Sequence, residues 1–487
     1  MIKIWLYIND ILKEFRGCFS RKAAFAWFMI AVIGLMTRSD HLGVTSIMRE
    51  LLLDPNKYTC LIHFFHSSAW KLETVQKKWL EIVKASGLAY YIHGRMVLIG
   101  DGVKQAKEAY RMPGVKKLHQ ESADSTKSEY IRGILFGGLG ILVGGAAKLF
   151  CLPLSMSIHD GNKAILQWKN SPYKDDSHVT RLIREACHAA NALAEPCWLL
   201  MDAYFLTEPG LKALAEAGKG FVTLITRAKD NYSAWWKQDY PILNADGTVK
   251  NPRIRDSFKI MDLFRTRAKD FIEETLTVYG EQKKVRYLCV NLLWRRGLFQ
   301  EIRFVLVDMD GVKSILACTG LNLDPRVIIE LYCYRFKIET FFRSFKQVIA
   351  GFACHFWCER MPLYRPFAKA EEMAARVAAL AADITCESIK NTYDAIEGFV
   401  FFACIAMGLI QLCSLKFSDI INNYESRWLR TFSSTVPSEE TTQLCLRNSL
   451  RILCDKCDNL ALVTAIKGRR AAISDKSVDS DYVDKSA

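Results

Sequence analysis

The feature that most restricts this chain is a change of texture at about residue 91. Helical periodicity gives way there to short apolar runs bounded by glycine: RMVLIGDG, ILFGGLGILVGG and LFCLPLSMSIHDG. Runs of that length with that punctuation read as buried strands. An amphipathic helix follows from about Thr180 to Ala194, and then the apolar runs CWLLMDAYF and FVTLITRAK. Three strands, a helix and further strands imply a mixed α/β layer fold.

Residues 1–90 read as a helical N-terminal domain, with segments such as HLGVTSIMRELLL and VQKKWLEIVKAS and enough basic residues to dock on DNA. Residues 91–230 hold the first part of the core. The pattern then turns strand-rich through KKVRYLCVNLLW, FQEIRFVLVDMDG and KSILACTG, so residues 231–325 read as a mostly β insertion with a hairpin at the MDG turn. Helix returns at Pro325. Residues 326–355 complete the core, 356–472 form a helical C-terminal region, and the polar tail 473–487 lacks the apolar content to pack.

Lys and Arg total 66 against 52 Asp and Glu, an excess that favours an anionic partner such as nucleic acid. Basic residues cluster after residue 104, and the segment Arg111 to Lys127, with Lys116, Lys117 and His119, is expected to track a DNA strand as a loop. The 16 cysteines are scattered and the first residues lack the pattern of a cleavable signal, so a reducing cytoplasm is expected, with most thiols buried. Cys454 and Cys457 form a CxxC without the second pair that a zinc site needs. Ala23–Met36 and Phe399–Leu415 are apolar but shorter than the roughly 20 residues of a bilayer span, so buried helices and no membrane are expected.

Asp101 ends the run RMVLIG and Asp202 the run CWLLM, which places both carboxylates where buried strands emerge at a sheet rim. Asp160, Asp308 and Asp310 also follow apolar runs and compete with them. A third acid comes from the helix after the insertion. Tyr332, Arg335, Glu339 and Lys346 fall within an arc of about 60° when each residue turns by roughly 100°, beside an apolar face of Ile338, Phe341, Phe342 and Phe345. Phosphodiester cleavage is well served by two Mg²⁺ ions about 4 Å apart, and such hard cations take carboxylate oxygens. Arg335 and Lys346 would then contact phosphate.

The spacing Y-x2-R-x3-E-x6-K, here Tyr332, Arg335, Glu339 and Lys346, resembles the signature of the DDE transposases of bacterial insertion sequences. GDGVKQAKEAYRMPGVKKLHQES and MDAYF are similar to the first and second aspartate regions of that family, so the likeness spans about residues 90–350. It implies an RNase H-like catalytic core interrupted by a β insertion, and cut-and-paste transposition at terminal inverted repeats. Asp101, Asp202 and Glu339 would bind two Mg²⁺ ions, with Mn²⁺ able to substitute, and Tyr332, Arg335 and Lys346 would hold the phosphate backbone. The partners implied are double-stranded DNA of the element ends and target, and a second copy of the chain, at the nucleoid of a bacterial cytoplasm. Relatives that pass through a DNA hairpin hold a flipped base on an aromatic of the insertion, for which Trp235, Trp236 and Trp294 are candidates. The alternatives are a nuclease of the same fold that cuts without joining, and a DNA-binding descendant without catalysis. Ala109 and Tyr110, where a compact Gly-containing turn is expected, are the departure that keeps the latter open.

Overall fold

The glycine-bounded runs form strands, and in the computed structural model they build one continuous sheet. The structure describes residues 1–120, 126, 128–159, 177–237, 256–361, 363, 372, 383–424 and 435–471. Asp160, Lys127 and the tail 473–487 lie outside the described residues. The strands are β1 (Tyr91–Ile92), β2 (Arg95–Ala106), β3 (Lys116–His119), β4 (Tyr130–Gly145), β5 (Lys148–Ile158), β6 (Cys197–Leu200) and β7 (Val222–Ala228). In the second half come β8 (Ser233–Trp236), β9 (Phe258–Lys259), β10 (Ile272–Val278), β11 (Glu281–Trp294), β12 (Gln300–Met309) and β13 (Val312–Cys318).

The first half has the order β5-β4-β2-β6-β7. β4 is antiparallel to both β2 and β5, whereas β6 is parallel to β2 and β7 to β6. β13 then pairs antiparallel with β7, so the ladder continues through β12, β11, β8 and β9 without a break. The expected hairpin at MDG joins β12 to β13. Asp310 (φ 53°) and Gly311 (φ 82°) are both left-handed, the pairing that a two-residue turn needs to match strand twist.

Helices cover the sheet: α1 (Ile2–Glu14), α2 (Lys22–Thr37), α3 (Val44–Glu50), α4 (Tyr58–Phe65), α5 (Leu72–Ala85), α6 (His178–Leu193) and α7 (Glu208–Gly218). After the insertion come α8 (Pro325–Cys333), α9 (Lys337–Gln347), α10 (Asp383–Lys416), α11 (Glu439–Lys456) and α12 (Ala461–Lys467). α6 starts where the Ser177 hydroxyl accepts a bond from Thr180 N at 3.3 Å and stops at Ala194, which is left-handed (φ 53°). Asp324 caps α8 in the same way, with Pro325 in the first turn, where a missing N–H costs nothing.

The amino-terminal and carboxyl-terminal helices share one apolar core. α2 packs against α10, α11 and α12, and α10 lies on β5. The Phe402 ring of α10 meets Phe28 at 5.2 Å and Trp70 at 4.9 Å. α10 is therefore longer than the apolar run Phe399–Leu415 suggested. Its segment Glu387–Lys416 has the length and composition of a membrane span, yet 94% of its most apolar stretch is buried within this fold. It also carries the buried Glu397, whose carboxylate accepts from Ile158 N at 2.9 Å and lies 3.7 Å from the buried Arg181. Arg181 in turn pairs with Glu185 at 3.0 Å, so the end of β5, α6 and α10 are tied by compensated charge.

Candidate active site

β2 and β6 run parallel with Ile99 opposite Leu200. Counting on two residues along each chain sets Asp101 beside Asp202, just past the point where β6 ends. Asp202 opens the 3-10 turn Ala203–Phe205, and its carbonyl accepts from the Thr226 hydroxyl at 2.8 Å, which ties that turn to β7. Asp101 differs from the expectation. It lies within β2 and not at its end, because the residues after it, Gly102 to Ala106, go on pairing with β4.

Glycines open the sheet around this acid on both faces. Gly138 of β4 stands opposite Asp101, and a Cβ there would lie 2.8 Å from the Phe342 ring, so its absence lets α9 settle onto the strand carrying the acid. On the other face a Cβ at Gly102 would lie 2.6 Å from Nε2 of His178, the first residue of α6. The acid is thus held by a strand pressed between two helices.

The helix expected to run unbroken from Pro325 is interrupted. A 3-10 turn, Tyr334–Phe336, separates α8 from α9, so Tyr332, Arg335, Glu339 and Lys346 do not share one regular face. Arg335, on this turn, reaches back across the sheet. Its Nη1 donates to Asp101 at 3.0 Å and its Nη2 to Glu339 at 2.7 Å. A planar guanidinium can make both bonds at once. The Asp101 side chain is 22% exposed and that of Glu339 60%, so the pair spans the passage from sheet to solvent.

Burial pushes the Asp101 carboxyl up to about 6. The facing Arg335 and a bond from Gly102 N partly offset this, while Asp202 and Glu339 add to it. For Arg335, burial acts to lower the pKa, and Asp101, Tyr332, Glu339 and Asp202 together outweigh it, leaving the guanidinium raised. Burial also pushes the Tyr332 hydroxyl up to about 12, with Asp202 among the charges near it. Asp101, Asp202, Glu339, Tyr332 and Arg335 therefore form one electrostatic unit. Among the described residues, no donor bonds the Asp202 carboxylate, and no three His, Cys, Asp or Glu side chains converge closely enough to hold a metal ion. The cluster nonetheless holds three hard oxygen donors, and Arg335 is the cation that bonds two of them among the described residues. That is an excess of negative charge suited to a divalent cation.

Other expected residues lie elsewhere. Lys346 lines a separate cleft. Lys116 and Lys117 lie on β3 and not in a loop, because they pair with Gly133 and Arg132 of β4. Gly133 is five residues from Gly138 along β4, about 17 Å at strand rise, and Lys117 sits over the Tyr130 ring at 3.8 Å. Asp308 faces Arg286 and Lys313 in the insertion ladder. Trp235 and Trp294 are core residues, and Trp236 is exposed but stacked on Phe258 at 5.2 Å. Cys454 is buried and Cys457 half-buried, both as free thiols.

Two residues near the acids were not legible in the sequence. Arg227 of β7 lies within electrostatic reach of Tyr332 and Tyr279. Tyr279 caps the β10–β11 hairpin in a left-handed conformation (φ 54°) with its ring 5.8 Å from Phe336, directly after Arg335. The available signal was Tyr-Gly at a two-residue turn where Asn-Gly is usual, since a bulky residue seldom takes that backbone without a reason.

Residues 171–360 match the family model described as "Transposase DDE domain". Over those residues the chain is similar to a transposase DDE domain. No curated protein matches the chain. The matched stretch holds Asp202, strands β8–β13 and the segment Tyr332 to Lys346, and it leaves out Asp101. Asp101 is joined to the matched stretch by the β2–β6 ladder and by the bond from Arg335.

Proposed function

We propose that this protein is a cut-and-paste transposase, with Asp101, Asp202 and Glu339 as its metal-binding carboxylates. The observation that carries the reading is the Arg335 guanidinium, which bridges Asp101 and Glu339 beside Asp202 within a transposase DDE domain. The strand order β5-β4-β2-β6-β7, with β4 antiparallel to both its neighbours and β6 and β7 parallel to β2, supports an RNase H-like core. The β7–β13 pairing supports an insertion built as an outgrowth of that core.

Two Mg²⁺ ions, or Mn²⁺, would be held by the three acids and would supply an activated attacking oxygen and a stabilised leaving oxygen. The chain's own part is positioning and charge. Asp101, with a pKa near 6, is largely ionised at neutral pH but close enough to protonation for acidity to weaken the site. Arg335 holds the two acids in place before DNA arrives and is the nearest cation for a phosphate that enters between them. Tyr332 stays neutral and offers a hydrogen bond to a phosphate oxygen. The substrate is double-stranded DNA at the element's terminal inverted repeats, joined to target DNA by two copies of the chain at a bacterial nucleoid.

The test is Asp202→Asn, whose carboxylate bonds no described donor. The variant should bind duplex DNA as the parent does and lose Mg²⁺-dependent nicking by at least about 100-fold. Undiminished nicking would sink the assignment. Strand transfer from pre-cut ends separates a transposase from a nuclease that only cuts.

A further inference from the structure

Beyond Glu339, α9 continues for two turns to Lys346, about 10 Å along the helix axis. Lys346 lines a cavity of about 870 Å³ together with the segment that follows β2, Lys107 to Met112, and the segment after α9 that ends at Trp357. This volume lies within the roughly 300–1,000 Å³ of ligand sites. The walls are pinned to each other. Lys107 Nζ donates to the carbonyls of Phe352 and Cys354, the latter at 2.8 Å, and Cys358 N donates to the Arg111 carbonyl at 3.0 Å.

Three properties of this cleft suit a ligand. Trp357 is 63% exposed and Tyr110 56%, although both are large aromatic side chains and share one cavity. Burial holds the Lys346 amine below its usual pKa, and among the described residues no acceptor bonds it. The positive charge is concentrated. Arg111 lines the cavity, Arg132 lies over the Tyr110 ring at 4.3 Å, and Glu108 is the one carboxylate among the described lining residues.

We propose that this cleft binds an unpaired stretch of the DNA strand that passes the carboxylates, with bases stacked on Trp357 and Tyr110 and phosphates held by Lys346 and Arg111. The inference rests on the DNA-cutting reading of the DDE domain. Paired bases hide their faces, so exposed aromatic rings serve an unpaired segment, and stacking of this kind tolerates any base. The separation from Glu339, about 10 Å along the helix axis, is a few nucleotides of a single strand. A phosphate would also supply the partner that the half-buried Lys346 lacks.

The experiment compares the full-length protein on two labelled duplexes of the same sequence, one blunt and one ending in a single-stranded thymine tail. The parent should bind the tailed duplex more tightly. Trp357→Ala should lose roughly 5- to 100-fold on the tailed duplex while changing the blunt one less than about 2-fold. Trp357→Phe, which restores a stacking face, should recover most of the preference, and 5-iodouracil in the tail should crosslink to the parent but not to Trp357→Ala. Equal binding of both duplexes by the parent, or a tail preference untouched in Trp357→Ala, overturns the proposal. Nicking of the blunt duplex, scored in parallel with Asp202→Asn, tells the failures apart. If nicking depends on Asp202 and the tail confers nothing, the cleft proposal falls alone, and if neither duplex is bound or cut, both readings fall.

Discussion

Replacing Asp101 by Asn should make the protein inactive and more stable. An acid whose pKa is raised in the folded state favours that state when protonated. Its contribution is fully present below its ordinary value of 3.8 and is lost as the pH rises through about 6. The distance between those values corresponds to about 3 kcal/mol at neutral pH, an upper figure because the side chain is 22% exposed. Asn keeps the shape and removes the cost, and Arg335 retains Glu339 as a partner. In metal-free buffer the two proteins should melt together below about pH 4, diverge between about pH 4 and 6, and keep a constant gap above that. For cooperative unfolding of a chain this long, each kcal/mol is worth roughly 1 °C, so the variant should melt up to about 3 °C higher at pH 7.5. Adding Mg²⁺ should raise the parent's melting point more than the variant's, since a ligand stabilises only the state that binds it. A variant that melts at or below the parent at pH 7.5, with parallel pH curves, would refute the account of Asp101.

Arg335→Gln removes the cation that lowers the Asp101 pKa, so the acid limb of the pH–rate profile for nicking should move upward by about one unit or more. An unmoved limb would mean that Asp101 does not set it. Gly138→Ala places a Cβ 2.8 Å from the Phe342 ring and should cost about 1–3 kcal/mol in unfolding measurements, with a matching loss of nicking as α9 is pushed off β2. Gly145→Ala, with nothing within 4 Å, is its control and should be neutral.

Much of the fold was legible because strand and helix leave different periodicities. The apolar runs became β2, β4, β5, β6 and β7 in order, and MDG became the predicted turn. Asp101 was misplaced to a strand end because the length of β2 depends on how far β4 keeps pairing with it, a partner about 35 residues away. The break at Tyr334–Phe336 escaped notice because no Pro or Gly marks it, and a 3-10 turn shifts the helical phase without changing composition. Lys346 opens on a separate cleft because it lies two turns beyond Glu339 on the same helix, α9. The cleft itself has no linear trace, since Tyr110, Lys346 and Trp357 meet only after β2 and α9 have packed.

The insertion is anchored at more places than its connections require. Beyond the β7–β13 ladder, the Tyr232 hydroxyl donates to the Leu206 carbonyl at 3.0 Å, and Arg295 reaches Glu208 at 3.4 Å, both just past Asp202. The Tyr279 hairpin touches Phe336 beside Arg335. These struts tie the strands β8–β13 to the segments that carry Asp202 and Arg335. A DNA substrate that reached the acids past them would be shaped to fit, and the cost of deforming the double helix would depend on its own sequence.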